Sequence, residues 1–166
     1  MTDEPAEQPQ PLTFVTLTRG DLWLSVGVAL VAFIAYVLTL AEGLLRADMG
    51  EFQTLAATLG HAHPTGYSVY LLMAKAATAI PVDGQSIAYR VNLLSALMGA
   101  VAVGLMVPVG KVLTGRRWIS GVGALALAFS PAFWSQAIIA EVYTTGAACM
   151  LGVLLCLVLW HLIQKD

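Results

Sequence analysis

Two carboxylates and two imidazoles lie close together in this chain, just after an uncharged segment long enough to cross a bilayer. They belong to Asp48, Glu51, His61 and His63. A carboxylate at a membrane face can serve as a general base toward a hydroxyl group, and such catalysis contributes roughly 10²–10⁴ in rate. These residue types predict acid–base chemistry on a substrate held at the membrane surface.

The two carboxylates also have a purely structural explanation. Acidic residues are favoured in the first turn of a helix, so Asp48 or Glu51 would suit a helix start. Their spacing of three puts both on one face if the segment is helical. If the segment is a turn, Gly50 would let the backbone fold around a ligand. The spacing leaves the capping role and the chemical role open.

The histidines sit in a His-Ala-His sequence at residues 61–63, and this alternation places both rings on one side of an extended segment. A metal site would need a third ligand from Asp48 or Glu51. Hydrogen bonding to a substrate is the favoured alternative, because two histidines at this spacing are a weak metal signal.

Three further positions are candidates for substrate binding. Pro64 and Gly66 predict a turn before a helix that starts at Tyr67, where free backbone N–H groups would meet an anion. Arg90 is either an interfacial anchor or a ligand for a lipid phosphate. Glu141 interrupts an apolar stretch, and it is a functional candidate unless it only marks the loop between two spans.

The composition indicates an integral membrane protein. Hydrophobic residues make up 58% of the 166 residues and charged residues 11%, whereas soluble domains contain about 25% charged residues. The net charge of −2 and the lack of a basic run argue against nucleic acid as a partner.

Hydropathy predicts an all-α integral membrane fold with about four transmembrane helices, at residues 22–40, 91–109, 118–140 and 142–163. Pro131 predicts a kink or break in the third of these, and Gly99 and Gly104 predict close packing in the second. Residues 41–90 are too polar to face lipid. They predict a large extracytoplasmic first loop with short interfacial helices at residues 51–59 and 67–80.

The orientation follows from the ends and the short loops. Residues 1–18 are acidic and proline-rich, which predicts a disordered cytoplasmic tail ahead of a transmembrane module at residues 19–166. A short basic loop at residues 111–117, together with Lys165, favours the cytoplasmic side. The polar loop at residues 41–90 then lies outside, in the plasma membrane if the protein is prokaryotic.

Four sequence blocks occur in a recognisable order. They are Asp-Met-Gly-Glu-Phe at residues 48–52 with Leu-Gly at 59–60, His-Pro-Thr-Gly-Tyr-Ser-Val-Tyr at 63–70, Tyr-Arg-Val-Asn-Leu-Leu-Ser-Ala-Leu at 89–97, and Ser-Pro-Ala-Phe-Trp-Ser-Gln-Ala-Ile-Ile-Ala-Glu-Val-Tyr at 130–143. On these blocks the chain resembles the N-terminal region of a GT-C type glycosyltransferase family, formerly a domain of unknown function, whose animal members are protein O-mannosyltransferases. The family pattern has serine at Met49 and proline at Thr65 and Ser68, so no ionisable group is lost.

The resemblance implies transfer of a sugar, with mannose as a candidate, from a polyprenyl-phosphate donor to an extracytoplasmic protein or glycan acceptor. It implies a carboxylate that acts as a base and side chains that meet the carrier phosphate. The catalytic residues would be Asp48 and Glu51, and the substrate-binding residues would be His61, His63, Tyr67, Arg90 and Glu141. The superfamily usually has more spans, so further helices of a longer enzyme or a partner subunit would complete the cavity.

Two alternatives remain open at this point. The first is a non-catalytic membrane subunit, or a truncated remnant, that binds a lipid or protein partner through the same loop. The second is a metal-dependent membrane hydrolase that uses His61, His63 and Glu51. No cofactor is firmly implied, and a divalent cation is the one candidate that these side chains suggest.

Overall fold

The computed structural model describes residues 16–164, and this range contains seven α-helices and no β-strand. The helices are α1 Arg19–Leu38, α2 Ala47–Thr58, α3 Ser68–Thr78, α4 Ile87–Thr114, α5 Arg117–Ala128, α6 Pro131–Ala137 and α7 Tyr143–Ile163. The predicted fold class, an all-α membrane protein, is confirmed. Most of the predicted tail, residues 1–15, and Lys165 lie outside the described residues.

Helix α4 is the centre of the bundle and packs against α1, α5 and α7. At Gly104 a side chain would press on Ala29 of α1, and the Ser25 hydroxyl donates a hydrogen bond to the Gly104 carbonyl. Lipid provides no hydrophobic force between helices, so close contacts of small residues and interhelical hydrogen bonds hold them together. The predicted close packing at Gly104 is therefore confirmed.

Three helices, α1, α4 and α7, are long and apolar enough to cross a membrane. Helix α4 extends beyond the predicted span at residues 91–109 in both directions, so Lys111 lies within the helix. Only Gly115 and Arg116 separate α4 from α5. The predicted basic loop is accordingly much shorter than its sequence suggested.

The predicted span at residues 118–140 consists of two helices, α5 and α6, which meet at an angle of 65°. Pro131, predicted as a kink or break, is the first residue of α6, and it has no N–H with which to continue the hydrogen bonding of α5. The Ser130 hydroxyl caps α6 by accepting a hydrogen bond from the Phe133 N–H. At the break, the buried Tyr36 hydroxyl donates to the carbonyl of Ala128 at 2.9 Å.

The bent pair α5–α6 carries the chain from one end of α4 to the other. Helix α5 begins beside the last turn of α4, and after α6 the backbone N–H and C=O of Glu141 both hydrogen bond to the Ser95 hydroxyl at 3.2 Å. Ser95 and Thr114 are separated by about 28 Å along α4, close to the hydrocarbon thickness of about 30 Å. This geometry fits a fourth crossing.

Helices α2 and α3 form a small layer at the N-terminal end of α4 and pack on each other and on α4. A buried cluster around Phe52, Tyr70, Ala74 and Val91 joins the three helices. The two short helices predicted in the polar loop are therefore present.

The Tyr36 hydrogen bond at the break can be tested by Tyr36→Phe. We expect a loss of about 1–3 kcal/mol in unfolding free energy, because the buried Ala128 carbonyl would be left without a donor. Unfolding in detergent would measure the loss. Tyr143→Phe is the matched control, since Tyr143 is 65% exposed, and it should unfold like the wild type. Equal stability of the two variants would contradict the role given to Tyr36.

Candidate functional site

The carboxylate of Glu51 holds His63 at two points. Its Oε1 accepts a hydrogen bond from the His63 backbone N–H at 2.9 Å, and its Oε2 lies 2.7 Å from His63 Nδ1. A carboxylate can only accept, so Nδ1 carries the proton in this pair. The imidazole therefore has a fixed orientation, and its Nε2 makes no hydrogen bond within residues 16–164.

Asp48 joins this pair from the same face of α2. The segment is helical, so Asp48 and Glu51 share a face as predicted for a helix, and ligand atoms of Asp48, Glu51 and His63 all lie within 4.8 Å of one another. We call these three residues the acid–histidine cluster. Position Arg46 is the N-cap of α2 and makes no side-chain capping bond. Capping therefore does not account for Glu51, whose carboxylate is engaged by His63.

The structure does not bring His61 to the cluster. His61 is exposed and lines a separate depression of about 290 Å³ between α2 and α3, beside Gly60 and Ser68. His61 is not among the residues whose ligand atoms gather with those of Glu51 and His63. A metal site made from His61, His63 and Glu51 is consequently not formed.

The Glu51–His63 pair shifts two pKa values in opposite directions. The hydrogen bond from the His63 side chain lowers the pKa of Glu51. The hydrogen bond to Glu51 raises the pKa of His63, and the negative charges of Asp48 and Glu141 add to this effect. His63 thus keeps its proton to a higher pH than an isolated histidine.

Glu141 lies in the connection between α6 and α7. Its backbone is fixed by the fully buried Ser95 of α4. Burial raises the pKa of the Glu141 carboxyl, the charge of Asp48 raises it further, and His63 opposes the shift. The Glu141 carboxyl is thus coupled electrostatically to Asp48 and His63, and its role in the site stays a prediction.

The Phe52 ring packs against three other rings at the candidate site. Its ring centroid lies 5.9 Å from that of His63, 5.3 Å from Tyr67 and 5.1 Å from Tyr70. Tyr67 in turn meets His63 edge-on at 5.2 Å. The backbone of Tyr67 is in the left-handed region with φ of 47°, a conformation that residues other than glycine rarely adopt. Aromatic packing therefore holds Tyr67, a predicted substrate-binding residue, against the imidazole.

A buried amide pair, which the sequence analysis did not single out, joins α2 to α4. Gln53 Nε2 donates to Asn92 Oδ1 at 2.8 Å, and Asn92 Nδ2 donates to the Ala41 carbonyl at 2.8 Å. Gln53 Oε1 accepts from the Leu45 N–H at 2.8 Å. Gln53 and Asn92 each place a side-chain amide on an apolar helix face, where burying an unpaired amide would cost free energy. This pattern is the feature of the sequence that could have revealed the pair.

Arg90 is engaged away from the acid–histidine cluster. Its guanidinium donates to the carbonyls of Thr78 at 3.0 Å and Gln85 at 3.3 Å. The contact with the Thr78 carbonyl caps the C-terminal end of α3, which is a common function of arginine at helix ends. Contact between Arg90 and a carrier phosphate stays a prediction.

The acid–histidine cluster offers oxygen and nitrogen donors of the kind that bind Mn²⁺ or Zn²⁺. Glu51 Oε2 and His63 Nδ1, however, are bonded to each other at 2.7 Å. An ion that used both atoms would have to replace this bond. Asp48 is the metal ligand that remains available without this exchange.

Comparison with known proteins places these features in a family. The family model that matches, over residues 48–166, is described as the protein O-mannosyl-transferase TMEM260 N-terminal domain. The chain is similar to protein O-mannosyl-transferase TMEM260 of Mus musculus, with 38% identity over 126 residues, which are 76% of this chain and 17% of the relative. It is also similar to the protein O-mannosyl-transferase tmem260 of Dictyostelium discoideum, with 24% identity over 143 residues, 86% of this chain and 18% of the relative.

The chain thus spans less than a fifth of the length of these two curated relatives. No solved structure matches it. The match begins at Asp48, so the acid–histidine cluster, the amide pair and Glu141 all lie within the shared region.

The pH dependence of the site can be tested with Glu51→Gln. We expect this change to lower the pKa of His63, since the hydrogen bond to the Glu51 carboxylate is the main cause of its elevation. NMR titration of the histidine ring would measure the shift. The control is Glu42→Gln, an exposed carboxylate in the preceding loop. An unchanged His63 titration in Glu51→Gln would contradict the pairing.

The same pair makes stability depend on pH. The folded-state pKa of His63 is raised. Its protonated ring therefore contributes fully to the stability of the fold below the ordinary pKa of 6.5, and this contribution is lost as pH rises through the raised pKa. The lowered pKa of Glu51 gives a contribution that is present above 4.5 and is lost as pH falls through the lowered pKa. The pair therefore stabilises the fold most between pH 4.5 and 6.5.

The close approach of the preceding loop to α2 can be tested at Gly50. A Cβ at this position would overlap the Leu45 carbonyl oxygen, so Gly50→Ala should displace the loop that Gln53 holds and lower the midpoint of thermal unfolding. Gly43→Ala in the same loop is the matched control, because its Cβ would meet nothing within 4 Å. If both variants melt with the wild type, the loop does not constrain α2.

Proposed function

Because the chain belongs to the family defined by the N-terminal domain of protein O-mannosyl-transferase TMEM260, we propose that it forms the catalytic end of a membrane glycosyltransferase. The observation that carries this proposal is the exposed Asp48 carboxylate beside the oriented Glu51–His63 pair, at one end of a bundle of membrane-crossing helices. The reaction is transfer of a sugar, with mannose suggested by the relatives' name, from a polyprenyl phosphate to a hydroxyl group of a protein acceptor.

The proposed reaction is a direct displacement at the anomeric carbon of the sugar. The acceptor oxygen forms the new glycosidic bond, the bond to the phosphate oxygen breaks, and the acceptor proton passes to a base. Asp48 suits the role of base, because its carboxylate is exposed and makes no hydrogen bond within residues 16–164. Holding acceptor and donor in line supplies much of the remaining rate.

His63 suits the leaving phosphate. Glu51 fixes its Nδ1 and raises its pKa, so the ring carries a positive charge over a wider range of pH and presents Nε2–H to an anion. A charged donor of this kind stabilises charge that develops on the phosphate oxygens. In this proposal Glu51 is a positioning residue, Tyr67 and Glu141 line the same site, and Arg90 keeps its contacts with α3.

The basic residues at one end of α4 bear on the location of the reaction. Lys111, Arg116 and Arg117 lie at the end of α4 opposite the site. Their charge favours the cytoplasmic side for that end and the extracytoplasmic side for α2 and α3. We infer a GT-C type arrangement, in the plasma membrane if the protein is prokaryotic, in which additional helices or a partner subunit complete the donor cavity.

The proposal is tested by Asp48→Asn. We expect sugar transfer from a radiolabelled polyprenyl-phosphate mannose to fall by roughly 10²–10⁴, the usual contribution of a general base. Asp83→Asn removes an exposed carboxylate from the loop between α3 and α4 and is the matched control. Transfer at the wild-type rate by Asp48→Asn would refute the role of Asp48. Donor binding without any transfer by the wild type would favour the non-catalytic subunit instead.

A further inference from the structure

A pocket of about 310 Å³ lies between α1, α4 and α7, toward the end of the bundle opposite the candidate site. All three helices are long and apolar enough to cross a membrane. Helices α1 and α7 both pack on α4, and the pocket occupies the space that they leave between them. Its apolar wall includes Leu22, Leu105, Pro108 and Leu155, and its polar rim includes Thr18 and Asp21.

The polar groups in the deeper part of the pocket are already paired with each other. Pro108 lies inside α4 and has no N–H, so the carbonyl of Gly104, four residues earlier, lacks its usual helical donor. The Ser25 hydroxyl of α1 donates to this carbonyl instead. Ser25 lies about 10 Å along α1 from Thr18. The deeper part therefore suits an occupant without hydrogen-bonding groups, such as a hydrocarbon chain.

At the rim of the pocket, Asp21 and Thr18 hold the guanidinium of Arg117 in one orientation. Arg117 Nε donates to Asp21 Oδ1 at 2.7 Å, and Nη2 donates to the Thr18 hydroxyl at 2.7 Å. Asp21 Oδ2 accepts from the Thr18 N–H and hydroxyl, so both oxygens of this buried carboxylate are engaged. Arg117 Nη1 makes no hydrogen bond within residues 16–164, and the side chain is 35% exposed. The guanidinium can therefore donate to an anion at the rim.

The charge around the rim is positive. Among residues 16–164, this end of the bundle contains one carboxylate, Asp21, and four basic side chains, Arg19, Lys111, Arg116 and Arg117. Arg19 and Arg116 are exposed. Basic pockets between membrane helices on the cytoplasmic side bind anionic lipid heads, and a planar guanidinium matches the geometry of a phosphate. The rim and the apolar wall together fit the two parts of one amphiphile.

We propose that this pocket binds an anionic phospholipid of the cytoplasmic leaflet, with an acyl chain against the apolar wall and the phosphate at Arg117. The leaflet follows from the orientation proposed for the basic end of α4. A further helix is a poor occupant, because it is about 10 Å across and would place only a side chain in the pocket. A free phosphate would meet Arg117 but would leave the apolar wall without a partner.

The head supplies the selectivity of this site, and the chain supplies its position. Lipid tails are as apolar as Leu22, Leu105 and Leu155, so an acyl chain gains little when it leaves the bilayer for the pocket. The phosphate, in contrast, gains charge-assisted hydrogen bonds that a zwitterionic head offers less strongly to a positive rim. The bound lipid would contact α1, α4 and α7 directly and α5 through Arg117.

The lipid can be tested by native mass spectrometry of the delipidated protein in detergent. The probes are phosphatidylglycerol and phosphatidylcholine with identical acyl chains, and glycerol phosphate as the head alone. We expect phosphatidylglycerol to bind roughly tenfold more tightly than phosphatidylcholine, as several basic groups around one head predict. Equal affinities for the two lipids would refute selection of an anionic head. Displacement of phosphatidylglycerol by an equal concentration of glycerol phosphate would refute the lipid and assign the rim to a soluble anion.

A pair of glycine variants on α1 tests the role of Arg117 without a change in net charge. A Cβ at Gly20 would lie 2.6 Å from Arg117 Nη1, so Gly20→Ala displaces the guanidinium. Gly27→Ala is the matched control, because its Cβ would meet nothing within 4 Å. We expect Gly20→Ala to lose most of the preference for phosphatidylglycerol and Gly27→Ala to keep it. An unchanged preference in Gly20→Ala would overturn the proposal.

A second pair of variants, on α7, tests the place of the acyl chain and is informative even if Gly20→Ala does not fold. Leu155→Trp fills the pocket from the α7 side, whereas Leu154 is 40% exposed and does not line the pocket, so Leu154→Trp is the control. We expect Leu155→Trp to abolish the binding of phosphatidylglycerol and Leu154→Trp to retain it. Binding that persists in Leu155→Trp would place the lipid elsewhere and refute the site. None of these measurements requires sugar transfer, so a failure of the proposed function would leave their outcome unchanged.

Discussion

The buried amide pair of Gln53 and Asn92 is the interaction on which the site depends. It joins α2, which carries both carboxylates of the cluster, to the central helix, and it fixes the carbonyl of Ala41 and the N–H of Leu45 in the preceding loop. Ser95 lies one turn further along α4 and fixes the backbone of Glu141. Residues three apart share a helix face, so one face of α4 holds both α2 and the segment that contains Glu141.

Environment gives different tasks to two carboxylates on the same turn of α2. Glu51 is bonded to the ring and the backbone of His63, whereas Asp48 is exposed and makes no hydrogen bond within residues 16–164. Such separation of otherwise similar acids is a common way to assign a base and an orienting group in one site. Capping a helix requires only one acidic residue. The different environments of Asp48 and Glu51 give a reason for two.

Local patterns in the sequence predicted most of the elements, and long-range partners account for what they missed. Hydropathy indicated the crossings, Pro131 marked the break, and the polar loop contained its two short helices. The Gln53–Asn92 bond joins residues 39 positions apart, and the Arg90–Thr78 bond depends on how α3 packs against α4. The orientation of the His63 ring depends on Glu51, twelve residues before His63. No periodicity encodes such contacts.

The hydrogen bond between Tyr36 and Ala128 has a consequence for the order in which the protein is built into the membrane. The break between α5 and α6 exposes a carbonyl that the helix itself cannot satisfy, and in hydrocarbon such a group costs several kcal/mol. Its donor belongs to α1, which leaves the ribosome before α5 and α6. The bent crossing can therefore settle in the bilayer only against a helix that is already inserted, and vectorial synthesis from the N-terminus supplies that helix in time.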